Sequence, residues 1–260
     1  MAAKKRKTVK YSKYIGDVEI PEDRKMPDCS RCGALACWPL RGEDALKMSP
    51  PHCATLNWPD IIAKAKEIYL NDPLHKKLHH AGAILEGLSS QTPPGGREIN
   101  MKYTRLEELG MFCHIMNYKK VGIAHCIGCI GEARAISDYL SSRGLETYQL
   151  CCKTGAIEKT EIGIAEEDKV RPLTFETICN NIAQALIFNE IGTDLNVIVG
   201  LCLGHDIAFT MMSKAPVTTL IVKDRRTGHS PAVPLYEGYK PYNFYYGRIG
   251  NMPTSESGGR

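Results

Sequence analysis

The sequence predicts an α/β protein: a mostly parallel sheet with flanking helices, preceded by a cysteine-rich metal module and a helical segment. Three observations predict it. From residue 119 short apolar runs alternate with helical stretches, the pattern of parallel strands joined by right-handed crossovers. Ahead of them, residues 59–71, 74–88 and a segment from Thr104 space their apolar residues at helical intervals. Residues 26–57 gather cysteines among prolines and turn residues, with too few periodic apolar positions for a core.

Residues 1–25 crowd Lys4, Lys5, Arg6, Lys7, Lys10 and Lys13 and read as a basic flexible tail, which supplies much of the net charge of +4. No aromatic-rich nucleic-acid module follows, so a nucleic-acid partner is not expected. The tail lacks the apolar stretch of a secretory signal, and no run approaches the roughly 18 apolar residues that span a bilayer. No membrane association is expected. A cytoplasmic setting is, and in that reducing compartment clustered cysteines serve as ligands or reactive thiols.

Within the module at 26–57, Cys29, Cys32, Cys37 and Cys53 follow C-x2-C-x4-C-x15-C. A zinc knuckle and a cluster site both accept four thiolates, and a bound metal would account for the order of a segment without a core. The helical segment at 58–117 is expected to pack on the core. Its first helix carries Ile61, Ile62, Ala65 and Ile68; after the breaker Asn71-Asp72-Pro73 the second carries Leu74, Leu78, Ala81, Leu85 and Leu88. Residues 91–98, QTPPGGRE, read as a loop. Thr104-x-x-Glu107 matches a capping box for a third helix bearing Leu106, Leu109, Phe112 and Met116, with Cys113 as a small buried hydrophobe.

Residues 118–235 form the α/β core, and 236–260 a C-terminal tail. In the core Cys126, Cys152 and Cys202 end apolar runs, and Cys179 opens a helical segment. Parallel strands bring such ends to one carboxyl rim, where open sheets bind ligands. At Cys126-x2-Cys129 a strand gives way to a helix, whose free N–H groups and dipole stabilise a thiolate. The pair reads as metal or cluster ligands, as a dithiol redox pair, or as structural cysteines. Cys151 and Cys152 point to opposite faces of their strand, which assigns Cys152 to the rim and Cys151 to the core. GLCLGHD at 200–206 sets Cys202, His205 and Asp206 beside two glycines that permit a tight turn. His205, Lys153 and Asp206 are the candidate catalytic groups. Lys223 and Asp224, with His229 nearby, read as an ion pair fixing the loop after the last strand. Phosphate-loop, dinucleotide and H-E-x-x-H motifs are absent, which argues against nucleotide-driven and metalloprotease chemistry.

These residues resemble a family of uncharacterised cysteine-rich metal-binding proteins of archaea and anaerobic bacteria, a domain of unknown function. The resemblance covers most of the chain. It rests on Cys29, Cys32, Cys37 and Pro50-Pro51-His52-Cys53, on CIG at 126–128, and on CKTGAIEK from Cys152. It continues through CNNIAQA from Cys179, GLCLGHD, and APVTTLIVKDRRTGHSP at 215–231. The family has CNP where this chain has Cys179-Asn180-Asn181, and an aliphatic residue at Cys129, which sets Cys129 apart from the ligands the family requires. The resemblance implies metal binding by many cysteines and no particular reaction.

The expected cofactor is an iron–sulfur cluster, 4Fe-4S in type, on Cys126, Cys152, Cys179 and Cys202, with zinc as the alternative at Cys29, Cys32, Cys37 and Cys53. Three functions fit: a cluster-dependent enzyme of small-molecule or sulfur metabolism, an electron carrier serving a redox partner, and a zinc-stabilised binding protein or metallochaperone.

Overall fold

The computed structural model describes residues 6–10, 17–21, 23–34, 37, 47–92 and 99–235. Two compact units divide the chain, Met1–Ile84 and Leu85–Arg260. In the first, strands β1 (Arg6–Lys10) and β2 (Asp17–Pro21) pair antiparallel, so part of the expected tail is paired backbone. The tail positions Lys4, Lys5 and Lys13 lie outside the described residues, as does 236–260. Helix α1 (Ala54–Asn57) follows Cys53, and α2 (Pro59–Asn71) opens on a proline, where a missing N–H costs nothing. One nitrogen of Arg24 donates to both carboxylate oxygens of Asp60 at 3.0 Å, and the guanidinium lies over the Trp58 ring. Helix α3 (Pro73–Ser89) begins after the predicted breaker. The apolar stripes of these helices are only partly covered: Ala81 and Leu85 are buried, whereas Ile62, Leu74 and Leu88 are exposed.

The second unit opens with a short ribbon, β3 (Ser90–Gln91) with β4 (Asn100–Met101), and helix α4 (Arg105–Met116). The capping box forms as its sequence predicts: Thr104 accepts the Glu107 N–H, and the Glu107 carboxylate accepts the Thr104 N–H at 2.7 Å. Cys113 is buried on this helix, and burial pushes its thiol up to about 12, as expected of an inert core group.

Four parallel strands follow, β5 (Lys120–His125), β6 (Glu146–Cys151), β7 (Leu195–Val199) and β8 (Val217–Ile221), in the spatial order β6-β5-β7-β8. All of β7 and nearly all of β5 is buried, as for central strands covered on both faces. Helices α5 (Ile130–Ser142), α6 (Asn181–Ile191) and α7 (His205–Met212) make the three crossovers. The first crossover runs one way along the sheet and the other two run back. Right-handedness therefore puts α5 on one face and α6 with α7 on the other. Phe188 of α6 meets Phe209 of α7 edge to face, ring centroids 6.2 Å apart. Gly122 in β5 admits Phe188, because a Cβ there would fall 2.9 Å from its ring.

At the carboxyl edge the strands come into step. His125 pairs with Cys151 on one side and Val199 on the other, and Val199 pairs with Ile221 beyond a bulge. The ladder runs one residue further: Cys152 N–H donates to the His125 carbonyl at 2.8 Å, Cys126 N–H to Val199 at 3.1 Å, and Gly200 N–H to Ile221 at 2.8 Å. Cys126, Cys152 and Gly200 thus stand side by side just past the sheet. The strand order reverses between β5 and β7, which opens a crevice between the loops that follow them.

Candidate functional site

Three cysteines meet at this crevice. Register alone puts Cys126 beside Cys152, and Cys179 joins them because Asn180 N–H donates to the Cys152 carbonyl at 2.7 Å. Asn180 in turn caps α6, its side chain accepting the Ala183 N–H at 3.1 Å. The Cys152 thiol is the shared donor of the group, hydrogen-bonded to both Cys126 and Cys179. That thiol proton holds Cys126 down at about 4, aided, against burial, by the Lys223 ammonium and the Gly128 N–H. It holds Cys179 at about 5, with burial opposing and Lys153 and His205 assisting. The cost falls on Cys152, whose two sulfur partners and burial push its own thiol far up. The directions oppose each other within the group: Cys126 and Cys179 are drawn toward the thiolate and Cys152 is held as the thiol.

Cations from the loop after β8 cover the sulfurs. Lys223 Nζ donates to Cys126 Sγ at 3.0 Å and lies 3.9 Å from Cys129 Sγ, and Arg225 donates to Cys202 Sγ at 3.2 Å. The ion pair expected between Lys223 and Asp224 is not formed among the described residues: the Asp224 carboxylate instead accepts the N–H groups of Arg226 and Thr227 at 3.0 and 3.1 Å. His229, at a φ of +68°, closes the loop by donating its N–H to the Asp224 carbonyl at 2.7 Å. Its Nδ1 accepts the Asp224 N–H at 3.0 Å, so Nε2 carries the ring proton, 3.6 Å from Cys129 Sγ. Cys129 is wholly buried, and burial raises its thiol despite Lys223. It fits there only because residue 200 is glycine, at a φ of +65°, where a Cβ would collide with the Cys129 sulfur. Cys126 is thus hydrogen-bonded to Cys152, while Lys223 lies against both Cys126 and Cys129.

The candidate catalytic groups lie at the same rim. Lys153 Nζ donates to the Thr177 carbonyl and helps to charge Cys179. His205 opens α7, its N–H on the Cys202 carbonyl at 3.0 Å, and its Nδ1 is buried without a hydrogen-bond partner. Asp206 is turned to its own helix, where its carboxylate accepts the Ile207 N–H at 2.8 Å. Cys152 is the more buried of its pair: Cys151 is half-buried at an edge strand and accepts the Lys153 N–H at 3.5 Å, because β6 has no neighbour beyond it to complete a core on that side. Sequence reasoning missed Arg225 and Gln184. Gln184 is fully buried and ties α6 to the ends of two strands, donating to the Leu150 carbonyl at 2.6 Å and the His125 carbonyl at 3.4 Å. A single amide inside the apolar run IAQALIF was the signal for it, as was the run KDRR after β8 for Arg225.

In the first unit Cys29 and Cys37 are exposed, Cys32 is half-buried and Cys53 is buried. The Thr55 hydroxyl joins two of them, lying 3.0 Å from Cys37 Sγ and hydrogen-bonding Cys53. Burial pushes the Cys53 thiol up, but the Leu56 N–H, Ser49 and Thr55 pull it down further. Among the described residues no three His, Cys, Asp or Glu side chains are grouped so as to hold a metal ion, here or at the rim. No described helix is long and apolar enough to cross a membrane.

A family model described as "Protein of unknown function (DUF1847)" matches residues 53–220. An uncharacterized protein of Methanocaldococcus jannaschii is 41% identical over 211 residues, which cover 81% of this chain and 94% of that protein. The matched span of the family model takes in Cys53 and the rim cysteines and ends just short of Lys223 and Arg225.

Proposed function

The chain belongs to the DUF1847 family, and on that footing we propose that it is a metal-binding protein whose rim cysteines, Cys126, Cys152, Cys179 and Cys202, hold an iron–sulfur cluster. The observation that carries the reading is the gathering of Cys126, Cys152 and Cys179 from separate element ends into one hydrogen-bonded group with two sulfurs drawn toward the thiolate. Thiolate is the ligand form of cysteine, and a site that already favours it lowers the proton cost of binding. Lys223 and Arg225 would offset the negative charge of a thiolate-bound centre. Binding would draw the sulfurs from their present hydrogen bonds into a common shell, with Cys202 leaving Arg225. A bound cluster would supply electron transfer or, with one of its four cysteines released, an iron open to a small molecule; Lys153 and His205 stand where protons would be exchanged, with Asp206 one residue further on. An electron carrier serving a redox partner would need only the first of these.

A single zinc ion is the second reading, since zinc accepts the same thiolate ligands. The set at Cys29, Cys32, Cys37 and Cys53 is proposed as a separate structural metal site, zinc or cluster, with Thr55 already joining two of its members. Anaerobic purification followed by iron, acid-labile sulfide and zinc analysis decides among these. Iron with sulfide that falls in both Cys126→Ala and Cys202→Ala is the expected result. Zinc without sulfide, falling in the same variants, establishes the second reading. Metal content indifferent to both substitutions removes the rim site.

A further inference from the structure

We infer that the rim crevice binds a small anion, a carboxylate or an oxyanion, held against the sulfur group by Arg225 and Lys223. The inference deepens the metal-centre reading by naming the ligand class, and rests on that reading only in taking the crevice as the place of chemistry.

Four observations carry it. The two cations span the opening: Lys223 reaches Cys126 at the end of β5, and Arg225 reaches Cys202 beyond the end of β7. Neither is used up there. A guanidinium carries five N–H donors, and among the described residues Arg225 commits one, to Cys202. Its side chain is exposed, where a single charge pairing adds little stability, so the pairing with Cys202 is a weak reason for an arginine. A guanidinium edge matches the two oxygens of a carboxylate or sulfate, which a thiolate cannot offer. Lys223 likewise has three protons, one directed to Cys126 and one toward Cys129.

The third observation is that the carboxylates of Asp224 and Asp206 make their hydrogen bonds to backbone and not to these cations. Asp224 sits between the two cations in sequence, yet its carboxylate is spent on the backbone of its own loop. Asp206 is spent on the first turn of α7. The fourth is rigidity. His229 and Asp224 bond each other through both backbone and ring, which fixes the loop that presents Lys223 and Arg225 and lowers the ordering cost of binding.

Equilibrium dialysis of the full chain, purified without oxygen, with radiolabelled malonate and separately with radiolabelled sulfate, tests this while metal is measured on the same samples. Saturable binding of at least one anion is expected, weakened at least tenfold by Arg225→Gln, only partly restored by Arg225→Lys, and not competed by neutral malonamide. Malonate alone would assign the site to carboxylates, and sulfate to oxyanions. No saturable binding of either, or binding that Arg225→Gln leaves unchanged, overturns the inference. Arg225-dependent binding in protein without metal upholds it and counts against the metal centre instead.

Discussion

At the scale of single residues, the chemistry of Cys126 depends on two neighbours. The Cys152 thiol lowers its titration through a hydrogen bond, and the Lys223 ammonium through both a hydrogen bond and its charge. In metal-free protein, Cys152→Ala and Lys223→Met should therefore each raise the Cys126 thiol from about 4 toward the ordinary value of 9.0. The sign is fixed: both changes remove groups that favour the thiolate, so both move the inflection to higher pH. Alkylation of the Cys126 peptide by iodoacetamide, followed against pH by mass spectrometry, reads that inflection. The same inflection in all three proteins would mean that neither neighbour charges this sulfur. Lys223 also shows where sequence reading stops. It lies 97 residues from Cys126, and nothing local distinguishes a lysine aimed at a distant sulfur from one paired with the adjacent Asp224.

At the scale of elements, the connection between β6 and α6 delivers Cys179 to the rim, and Lys169 holds it in shape. Its ammonium, nearly buried, pairs with Glu158 at 2.6 Å and Glu166 at 2.7 Å and donates to the Thr174 carbonyl at 3.2 Å. Glu158 and Thr177 form a lone bridge beside it. Lys169 is the main reason that Glu158 titrates low, near about 2. A carboxylate depressed in the fold contributes stability above its unfolded value, near 4.5, and loses it as pH falls through its folded value. Pepsin should accordingly cut residues 159–175 of the native protein increasingly as pH drops from about 4.5 toward 2. Lys169→Met should be cut there across that whole range. Cleavage of both at the same pH would show that the clamp does not hold the segment. This connection was illegible in sequence because it has no periodicity. The α4 capping box and the Asn71-Asp72-Pro73 break were legible because each is a contact within four residues.

At the scale of the molecule, every member of the main buried cluster lies between Leu109 and Phe209. The second unit thus carries its own core, and residues 85–260 expressed alone should unfold in urea in one cooperative transition. A gradual loss of far-UV circular dichroism would contradict this. The parallel sheet was legible from alternation, and its rim cysteines from their place at the ends of apolar runs. The strand order was not, since alternation fixes the direction of each strand but not its neighbour; only the order puts the β5 and β7 loops across one crevice. The rim ladder also sets how far the site can give. Cys126 and Cys152 hang from backbone hydrogen bonds to adjacent strands, and Cys179 is tethered through Asn180, so these three sulfurs can separate only as far as their rotamers allow. Cys202 stands apart, half-buried on a turn, its sulfur bonded to an exposed arginine. The site is a stiff three-point socket with one compliant jaw. Two of its sulfurs start from backbones held at the ~4.8 Å spacing of adjacent strands, so a change at Cys202 can be absorbed by its turn without disturbing that pair.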